Sequence, residues 1–266
     1  MQRIKLVLLA RDCDSTLLVF NYLKDHFIID TVILERTNSK RKQFRRRLKL
    51  LGLGRAIGQV IFMLTIFRLL KFSSRKRKTE IIEESNSKLE AIPKHIIRHV
   101  DSLSSQKARD LLRELQPGLL LVNGTRIISK KTLEAVSAPF INIHTGITPA
   151  FRGVHGGYWA IATSKKELFG TTIHYVDAGV DTGGIIEQVF IVPDKTDNFY
   201  TYPYLQYAKA LPVLRQIVQS FADGKKPTVK PAITNDSSLW FHPTIFQWLG
   251  NMKRTFIFAF FLTTFM

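Results

Sequence analysis

Short apolar runs alternate with amphipathic stretches along this chain. Ile4–Ala10 and Ile28–Leu34 have the length and apolar content of buried strands. Between them, leucines and a phenylalanine recur at helical spacing, and Ser15 is the expected N-cap of that helix. This strand–helix–strand opening predicts a parallel α/β sheet, to which Gly118–Val122 and Phe140–Ile143 add further buried strands.

The second half of the chain continues this pattern of strands and helices. Thr171–Val176 alternates like a strand, and Gly183–Phe190 is its expected return partner. Tyr202–Ala222 has helical periodicity, within which Pro212 is expected to kink the helix or to start a second one. These elements predict an α/β fold with a Rossmann-like, mostly parallel sheet flanked by helices.

Turn residues at 223–227 divide the chain into two parts. Residues 1–227 are expected to form one large α/β domain, and residues 228–266 a short C-terminal extension. In the extension, the aromatic residues from Trp240 to Trp248 are candidates to pack on the domain. The apolar, uncharged residues 255–266 are a candidate interfacial anchor or a buried packing arm.

The net charge of +18 is concentrated in one stretch of the chain. Residues 36–78 contain 15 Lys or Arg and no Asp or Glu, which leaves a net charge of only +3 for the other 223 residues. Inside this stretch, an apolar run from Leu50 to Leu70 lies between basic clusters at 45–47 and 75–78. We therefore expect a basic helical insert that lies in a membrane interface or packs on the core with a solvated basic end. Contact with RNA is a third interpretation, although the insert carries no recognition motif.

The cellular compartment is predicted from three further features. Only 12 uncharged residues separate Arg55 from Arg68, fewer than the roughly 18–20 that a membrane-spanning helix needs. The N-terminal residues lack a secretory pattern, and the single cysteine, Cys13, is interpreted as a small buried hydrophobe in a reducing compartment. We expect a cytoplasmic protein, with the insert and the apolar tail as candidate peripheral contacts at the inner face of the membrane.

Three polar residues suggest chemistry at the end of one strand. Asn142 and His144 come at the end of an apolar run, and Asp181 follows 37 residues after His144. An amide can donate to a developing oxyanion, an imidazole can move a proton, and a carboxylate can orient or charge that imidazole. Because α/β proteins place their chemistry where strands end in loops, these residues suit acyl transfer to an amine, without a metal or a covalent nucleophile.

The segments around these residues resemble the two signature blocks of the folate-dependent formyltransferases. The first block is Ile141–Gly153 and the second is Gly170–Gly183, at the spacing expected for the family. The resemblance is good over roughly residues 112–222, and two linked blocks are far more specific than Asn-x-His alone. It implies that the catalytic residues are Asn142, His144 and Asp181.

The same resemblance implies a formyl donor and its binding segments. The donor is N10-formyltetrahydrofolate, a cosubstrate that requires no metal. The residues resembling the family's two pocket walls are Arg126, Ile127 and Ile128 on one side and Asp177, Ala178, Gly179 and Val180 on the other. His174 matches a second histidine often found near the site, although burial on an alternating strand also explains it.

The acceptor amine is predicted by eliminating acceptors of other members of the family. The loop at residues 11–16 contains no glycine and two carboxylates, unlike the phosphate-cradling loop of glycinamide ribonucleotide enzymes. The 39 residues after Pro227 lack the run of strands expected of the β-barrel domain of methionyl-tRNA enzymes. The basic insert could still bind tRNA phosphates, so tRNA is a second candidate partner. An amino sugar or nucleotide-linked sugar is therefore the predicted acceptor.

Two other classes of function are compatible with the sequence. A catalytically silent relative could act as a membrane-associated binding protein, with Asn142 and His144 as ordinary loop-capping residues. A folate hydrolase would use water in place of the amine. The presence of all three residues, Asn142, His144 and Asp181, favours the transferase.

Overall fold

The computed structural model of the protein describes residues 4–252 and 254. Strands and helices alternate through this part of the chain, as the apolar pattern predicts. The strands are β1 (Leu6–Ala10), β2 (Ile29–Glu35), β3 (Ile97–Val100), β4 (Leu119–Asn123), β5 (Phe140–His144), β6 (Arg152–Gly153), β7 (Gly170–Tyr175), β8 (Ile185–Phe190) and β9 (Leu239–Trp240). The helices are α1 (Asp14–Lys24), α2 (Lys40–Leu51), α3 (Leu53–Leu64), α4 (Ile66–Ser73), α5 (Arg75–Glu84), α6 (Gln106–Leu115), α7 (Lys130–Leu133), α8 (Gly156–Ala162), α9 (Tyr202–Ala222) and α10 (Ile245–Asn251).

Seven strands form one mixed sheet in the order β3-β2-β1-β4-β5-β7-β8. The first five strands of this order are parallel, and β7 and β8 are antiparallel to their neighbours. Apolar clusters cover both faces of the sheet, one beneath α1 and α9 and another beneath α6. The strands β1 and β4 are therefore buried on both sides. The predicted mostly parallel, Rossmann-like sheet is confirmed.

Two local predictions are wrong, and a third is narrowed. α1 begins at Asp14, so Cys13 rather than Ser15 occupies the N-cap position, and Cys13 is exposed rather than buried. The Ser15 hydroxyl instead accepts a hydrogen bond from Asn123 at 3.1 Å. α9 continues through Pro212 as one helix rather than starting a second one there, and its buried residues on both sides of the proline pack into the same apolar cluster, whereas the alternative of a kink at Pro212 stays a prediction.

The basic insert folds as the helices α2, α3, α4 and α5. Gly52, with φ of +78°, ends α2, and Thr65 separates α3 from α4. The insert is attached to the domain by charge as well as by apolar packing. Arg77 Nε lies 2.9 Å from a carboxylate oxygen of Asp197, whose side chain is fully buried, and Lys78 Nζ lies 2.6 Å from Asp14 Oδ2.

The apolar part of the insert is longer than the count of uncharged residues suggests. The helical stretch Leu53–Ser73 has 21 residues and a mean hydropathy of 1.6, so by length and composition it could cross a membrane. The prediction that this region is too short to span is therefore wrong on length. Of its most apolar 18-residue window, 28% is buried within the protein.

The C-terminal extension packs on the domain within the described residues. Its α10 buries Trp248 against Phe62 of α3, with ring centroids 6.3 Å apart. Its β9 pairs with β6 in a separate two-stranded sheet. The apolar tail at 255–266 lies outside the described residues, and the division of the chain at residue 227 stays a prediction.

Candidate active site

Asn142 and His144 lie on the same face of β5 because alternate residues of a strand point to one side. The neighbouring antiparallel strand β7 places His174 directly opposite Asn142, and Thr172 opposite His144. His144 is buried and Asn142 is partly buried, so both polar side chains lie below the surface. This register adds His174 to the three predicted site residues.

Asp181 reaches this face from the loop between β7 and β8. Its backbone is left-handed, with φ of +51°, which an aspartate tolerates better than most residues. One carboxylate oxygen, Oδ2, lies 3.4 Å from His144 Nδ1. The other, Oδ1, accepts a hydrogen bond from Asn142 Nδ2 at 3.4 Å and lies 3.6 Å from His174 Nε2. The structure thus brings the three predicted catalytic residues together.

The charge of Asp181 is stabilised by its neighbours. Burial alone raises the pKa of Asp181, but the neighbouring His144 and His174 rings and the backbone N–H of Gly153 lower it to about 2. The Gly153 N–H donates to Oδ2 at 2.9 Å. Asp181 is therefore an ionised carboxylate at neutral pH, in a site from which most water is excluded.

The two ring nitrogens of His144 face different acceptors. Nε2 lies 2.8 Å from the backbone carbonyl of Phe151, an arrangement in which Nε2–H is the donor. Nδ1 faces the Asp181 carboxylate. Burial lowers the pKa of His144 below its ordinary value, while Asp181 and the Phe151 carbonyl act in the raising direction. With Nε2–H on the Phe151 carbonyl, Nδ1 is the nitrogen that can take up a proton, beside a carboxylate that would stabilise the imidazolium.

His174 and Asn142 form the second half of the site. His174 Nδ1 lies 2.7 Å from the carbonyl of Tyr175 and donates to it, so Nε2 is the acceptor nitrogen. Asn142 Nδ2 lies 3.1 Å from that Nε2 and donates its second hydrogen toward Asp181. Both amide hydrogens of Asn142 are therefore engaged, the one on Asp181 at the longer distance.

The predicted segment from Arg126 to Ile128 follows β4 and is held firmly. The Arg126 guanidinium forms an ion pair at 3.0 Å with Glu35, a buried carboxylate, and also donates to Asn38 and to the Asp101 carbonyl. Burial raises the pKa of Glu35. Hydrogen bonds from the Arg126 guanidinium and from the backbone N–H groups of Arg126 and Leu103 outweigh this effect and hold the pKa below its usual range. Ile127 is 52% exposed, whereas Ile128 is buried.

The second predicted segment, Asp177–Val180, is a tight exposed turn. Asp177 Oδ1 accepts from the backbone N–H of Gly179 at 3.0 Å and from Thr182 Oγ1 at 2.7 Å. A Cβ at Gly179 would lie 1.9 Å from Thr182 Oγ1, so any larger residue there would have to displace the Thr182 side chain. Val176, which precedes this turn, packs in the same apolar cluster as Ile128, so the core joins the two segments.

Sequence reasoning missed the backbone groups that complete the site. The carbonyl of Phe151 and the N–H of Gly153 fix His144 and Asp181, yet a backbone group has no residue signature. His174 was visible as a polar residue in an alternating strand, but only the register with β5 places it opposite Asn142. Among residues 4–252 and 254, no cluster of His, Cys, Asp or Glu has the arrangement of a metal site.

Comparison with known proteins identifies the family. The formyl transferase family matches residues 69–203, which is about half of the chain and contains Asn142, His144, His174 and Asp181. The chain is 33% identical over 125 residues to a methionyl-tRNA formyltransferase of Myxococcus xanthus, covering 46% of this chain and 39% of that protein. It is 28% identical over 98 residues to a GDP-perosamine N-formyltransferase of Brucella melitensis, covering 37% of this chain and 38% of that protein.

The fold agrees with this assignment. A sugar N-formyltransferase from Shewanella superposes with a TM-score of 0.54 at 16% sequence identity, covering 88% of this chain and 75% of that one. The fold and the site define a Rossmann-like α/β protein with an Asn–His–Asp site on its sheet. The chain belongs to the formyl transferase family. It spans less than half the length of the two curated relatives described here.

Proposed function

We propose that this protein transfers a formyl group from N10-formyltetrahydrofolate to the primary amine of an amino sugar, in nucleotide-linked form. One observation carries the reaction type: Asn142 and His144 both lie 3.4 Å from the carboxylate of Asp181, in a chain of the formyl transferase family. These three groups supply a hydrogen-bond donor to the oxyanion, a base, and a negative charge that stabilises the protonated base.

His144 acts as the base through Nδ1, because Nε2 donates its hydrogen to the Phe151 carbonyl. A proton taken from the attacking amine creates an imidazolium beside ionised Asp181, which a partly desolvated site favours strongly. As the amine nitrogen bonds to the formyl carbon, the bond from that carbon to N10 of the folate would break, and the imidazolium would return the proton to N10. Asn142 donates to the formyl oxygen as negative charge develops there. Its longer hydrogen bond, to Asp181, is the one to be exchanged for that oxygen.

The two walls predicted for the donor have suitable chemistry. Exposed, apolar Ile127 lies on a segment held by the Arg126–Glu35 ion pair, and an exposed backbone turn forms the Asp177–Val180 segment. A rigid apolar side chain and an exposed backbone turn suit a flat heterocycle that is recognised by hydrogen bonds along its rim. The bound folate would supply the activated formyl carbon.

The acceptor proposal is supported by the loop after β1. Asp14, at the start of α1, is occupied by Lys78 at 2.6 Å and by the Tyr204 hydroxyl at 2.7 Å. A carboxylate at this helix start opposes the binding of a ribonucleotide phosphate there. The relative named for GDP-perosamine shows that amino-sugar acceptors occur among the chain's relatives.

The test is a screen of acceptors with N10-formyltetrahydrofolate, read as the mass gain of one formyl group. Nucleotide-linked amino sugars, glycinamide ribonucleotide and methionyl-tRNA are compared. We expect formylation of an amino sugar, and a loss of about a hundredfold or more in His144→Ala but none in His99→Ala, an exposed histidine on the edge strand β3.

Each other outcome selects a different function. Formylation of only the ribonucleotide or the tRNA would overturn the acceptor proposal. Formate release that no amine accelerates would identify a hydrolase. Absence of both activities over the whole panel would favour the catalytically silent binding protein.

We also propose that the insert holds the protein at an anionic membrane surface. The outer side of α3 and α4 is apolar, with side chains between 41% and 67% exposed, among them Leu53, Ile57, Ile61, Leu64 and Phe72. Their spacing of three or four residues places Leu53–Leu64 in one stripe. The opposite side of α3 buries Ala56, Gln59 and Phe62 against the domain.

Charge supports a lipid surface rather than another occupant. The insert carries 15 basic and no acidic residues over positions 36–78, so two copies of it would repel each other. Anionic lipids attract such a surface by about 1 kcal/mol per nearby Lys or Arg. Arg75 lies over the Phe72 ring at 4.9 Å, placing a cation at the rim of the apolar stripe.

A helix lying on the membrane fits the buried side of α3 better than a spanning helix. The Gln59 amide donates to the His242 carbonyl at 2.7 Å, and the Arg77–Asp197 ion pair attaches the following helix to the domain. A spanning orientation would break both contacts and place polar Gln59 in hydrocarbon.

Vesicle flotation of the full-length protein tests this contact. We expect binding to phosphatidylcholine vesicles that contain about 30 mol% phosphatidylglycerol, weak binding to phosphatidylcholine alone, and weaker binding at high salt. Replacing Ile57 and Ile61 together by Glu should reduce binding at least tenfold, whereas Ile28→Glu, at a more exposed isoleucine outside the insert, should not. Equal binding of wild type and the double variant would overturn the proposal.

A further inference from the structure

We infer that Trp240, in the C-terminal extension, is a positioning residue for His144 and Asp181. This inference rests on the proposed formyl transfer at those residues. Trp240 lies outside the family match at 69–203, so the match does not account for it. It is about 60 residues beyond Asp181 in the chain and reaches the site by tertiary packing alone.

Trp240 contacts residues 150–154, which we call the catalytic loop, through both its backbone and its ring. β9 pairs with β6, and the Val154 N–H donates to the Trp240 carbonyl at 3.1 Å. The indole Nε1–H donates to the Ala150 carbonyl at 3.0 Å. The indole also stacks between two rings, 5.8 Å from Phe151 and 4.6 Å from Trp159 between centroids.

The residues held in this way supply the two backbone contacts of the site. The Phe151 carbonyl accepts from His144 Nε2, which fixes the tautomer that leaves Nδ1 unprotonated. The Gly153 N–H donates to Asp181 Oδ2 and helps to keep that carboxylate ionised. Trp240 contacts Phe151 through its ring and Gly153 through strand pairing, so one residue orients both backbone groups.

The close approach at Gly153 makes this contact specific. Gly153 has φ of +96°, and a Cβ built there would lie 2.3 Å from the Trp240 carbonyl. Only glycine allows β9 to approach this closely, and the approach fixes the direction of the Gly153 N–H. A looser β9 would let the loop rotate, release Nε2 from its carbonyl and allow His144 to change tautomer.

The test compares two matched tryptophan variants in the full-length protein. Trp240→Phe keeps an aromatic ring but removes the indole N–H that binds Ala150. Trp248→Phe removes an indole N–H that has no hydrogen-bond partner among residues 4–252 and 254, from a buried ring of α10. Steady-state formyl transfer and the ¹⁵N chemical shifts of the His144 ring are measured in both variants.

We expect Trp240→Phe to lower kcat about three- to tenfold, with KM for the formyl donor within twofold, and to shift the His144 nitrogens toward a tautomer mixture. Trp248→Phe should keep kcat within twofold and leave the His144 shifts unchanged. Trp240→Ala should lower kcat further. If the Trp240→Ala variant does not fold, the Trp240→Phe variant alone tests the inference.

Equal kcat losses in the two Phe variants, or unchanged His144 shifts in Trp240→Phe, would overturn the inference. The ¹⁵N measurement needs no substrate. If the wild-type protein formylates no acceptor, the proposed function fails, whereas the tautomer comparison still decides whether Trp240 positions His144.

Discussion

The strands β5 and β7 bury polar side chains, whereas the helices α3 and α4 expose apolar ones. His144, His174 and Asp181 lie in a shielded site where each has a polar partner. Leu53, Ile57 and Phe72 are exposed without an apolar cover in the described part of the chain. Both regions depart from the usual rule of apolar inside and polar outside, and such departures mark sites of function.

The two regions also differ in their relation to the family. The formyl transferase match begins at residue 69, so β5 and β7 lie inside it, while α2 and α3 lie outside. The shared part of the chain carries the candidate chemistry. The helices α2 and α3, which lie outside the match, are rich in basic residues and carry the apolar stripe, so we expect changes in these two helices to alter location rather than the reaction.

The largest expected effect comes from the buried polar region. Asp181→Asn keeps the shape of the side chain but removes the charge that stabilises protonated His144. We expect kcat to fall about a thousandfold or more, as when the carboxylate behind a catalytic histidine is neutralised elsewhere. Steady-state formyl transfer measures this, and vesicle binding of the same variant should equal that of wild type. A kcat within tenfold of wild type would remove Asp181 from the mechanism.

The next largest effect concerns the attachment of the insert to the domain. Arg77→Leu leaves the fully buried Asp197 carboxylate without its cation. We expect the free energy of unfolding to fall by about 3–5 kcal/mol, because an unpaired buried charge is costly. Chemical denaturation measures the change, with exposed Arg45→Leu as the control at within about 0.5 kcal/mol. Equal effects of the two variants would show that the insert is not attached through this ion pair.

A pH-dependent effect is expected where the extension meets the residue that follows the catalytic loop. His155 Nε2 lies 2.9 Å from His242 Nδ1, and burial lowers the pKa of His242 to about 4. Burial and the neighbouring His242 also hold the pKa of His155 well below its ordinary value. The unfolded chain binds protons first as pH falls, so stability should be constant above about pH 7 and decline between about pH 6.5 and 4, by roughly 3 kcal/mol for His242.

Thermal unfolding over that pH range measures this decline. Asp181 does not contribute to this decline. Its pKa of about 2 in the folded protein means that its protonation lowers stability only below about pH 4. His242→Gln should reduce the decline between pH 6.5 and 4, and buried His155 should account for part of what remains. An unchanged decline in that variant would assign the effect to other groups.

The smallest expected effect is in the exposed apolar stripe. Ile57→Glu should change the free energy of unfolding by less than about 0.5 kcal/mol, because the side chain lies on the outer surface of α3. Denaturant unfolding in the absence of lipid checks this. A loss of 2 kcal/mol or more would mean that the stripe is covered by protein, and would contradict a free membrane face.

Sequence and structure agree best where residue type and alternation carry the information. Asn142 and His144 share a strand face because they are two residues apart, and the predicted return of the chain brings Asp181 to them. The contacts of Phe151, Gly153 and Trp240 were not predictable, because they use backbone groups and a two-residue strand pair between distant segments. The breaks in the insert at Gly52 and Thr65 were equally hidden within an apolar run.

The roles of the predicted donor segments remain proposals, but their local structures are instructive. Charge in the sequence did not reveal that Arg126 is bound to Glu35, because an ion pair between residues 91 positions apart depends on the order of β2 and β4 in the sheet. The turn at Asp177–Val180 was visible from Asp, Gly and Thr in close succession, since these residues form side-chain-to-backbone turns.

The most direct test of the central claim is formyl transfer to the amino-sugar acceptor in solution, without lipid, by three proteins. These are wild type, His144→Ala and the double glutamate variant at Ile57 and Ile61. We expect transfer by wild type and the double variant at equal rates, and a loss of about a hundredfold or more in His144→Ala. Wild-type rates in His144→Ala, or a comparable loss in the double variant, would contradict a buried polar site that carries the chemistry independently of the exposed insert.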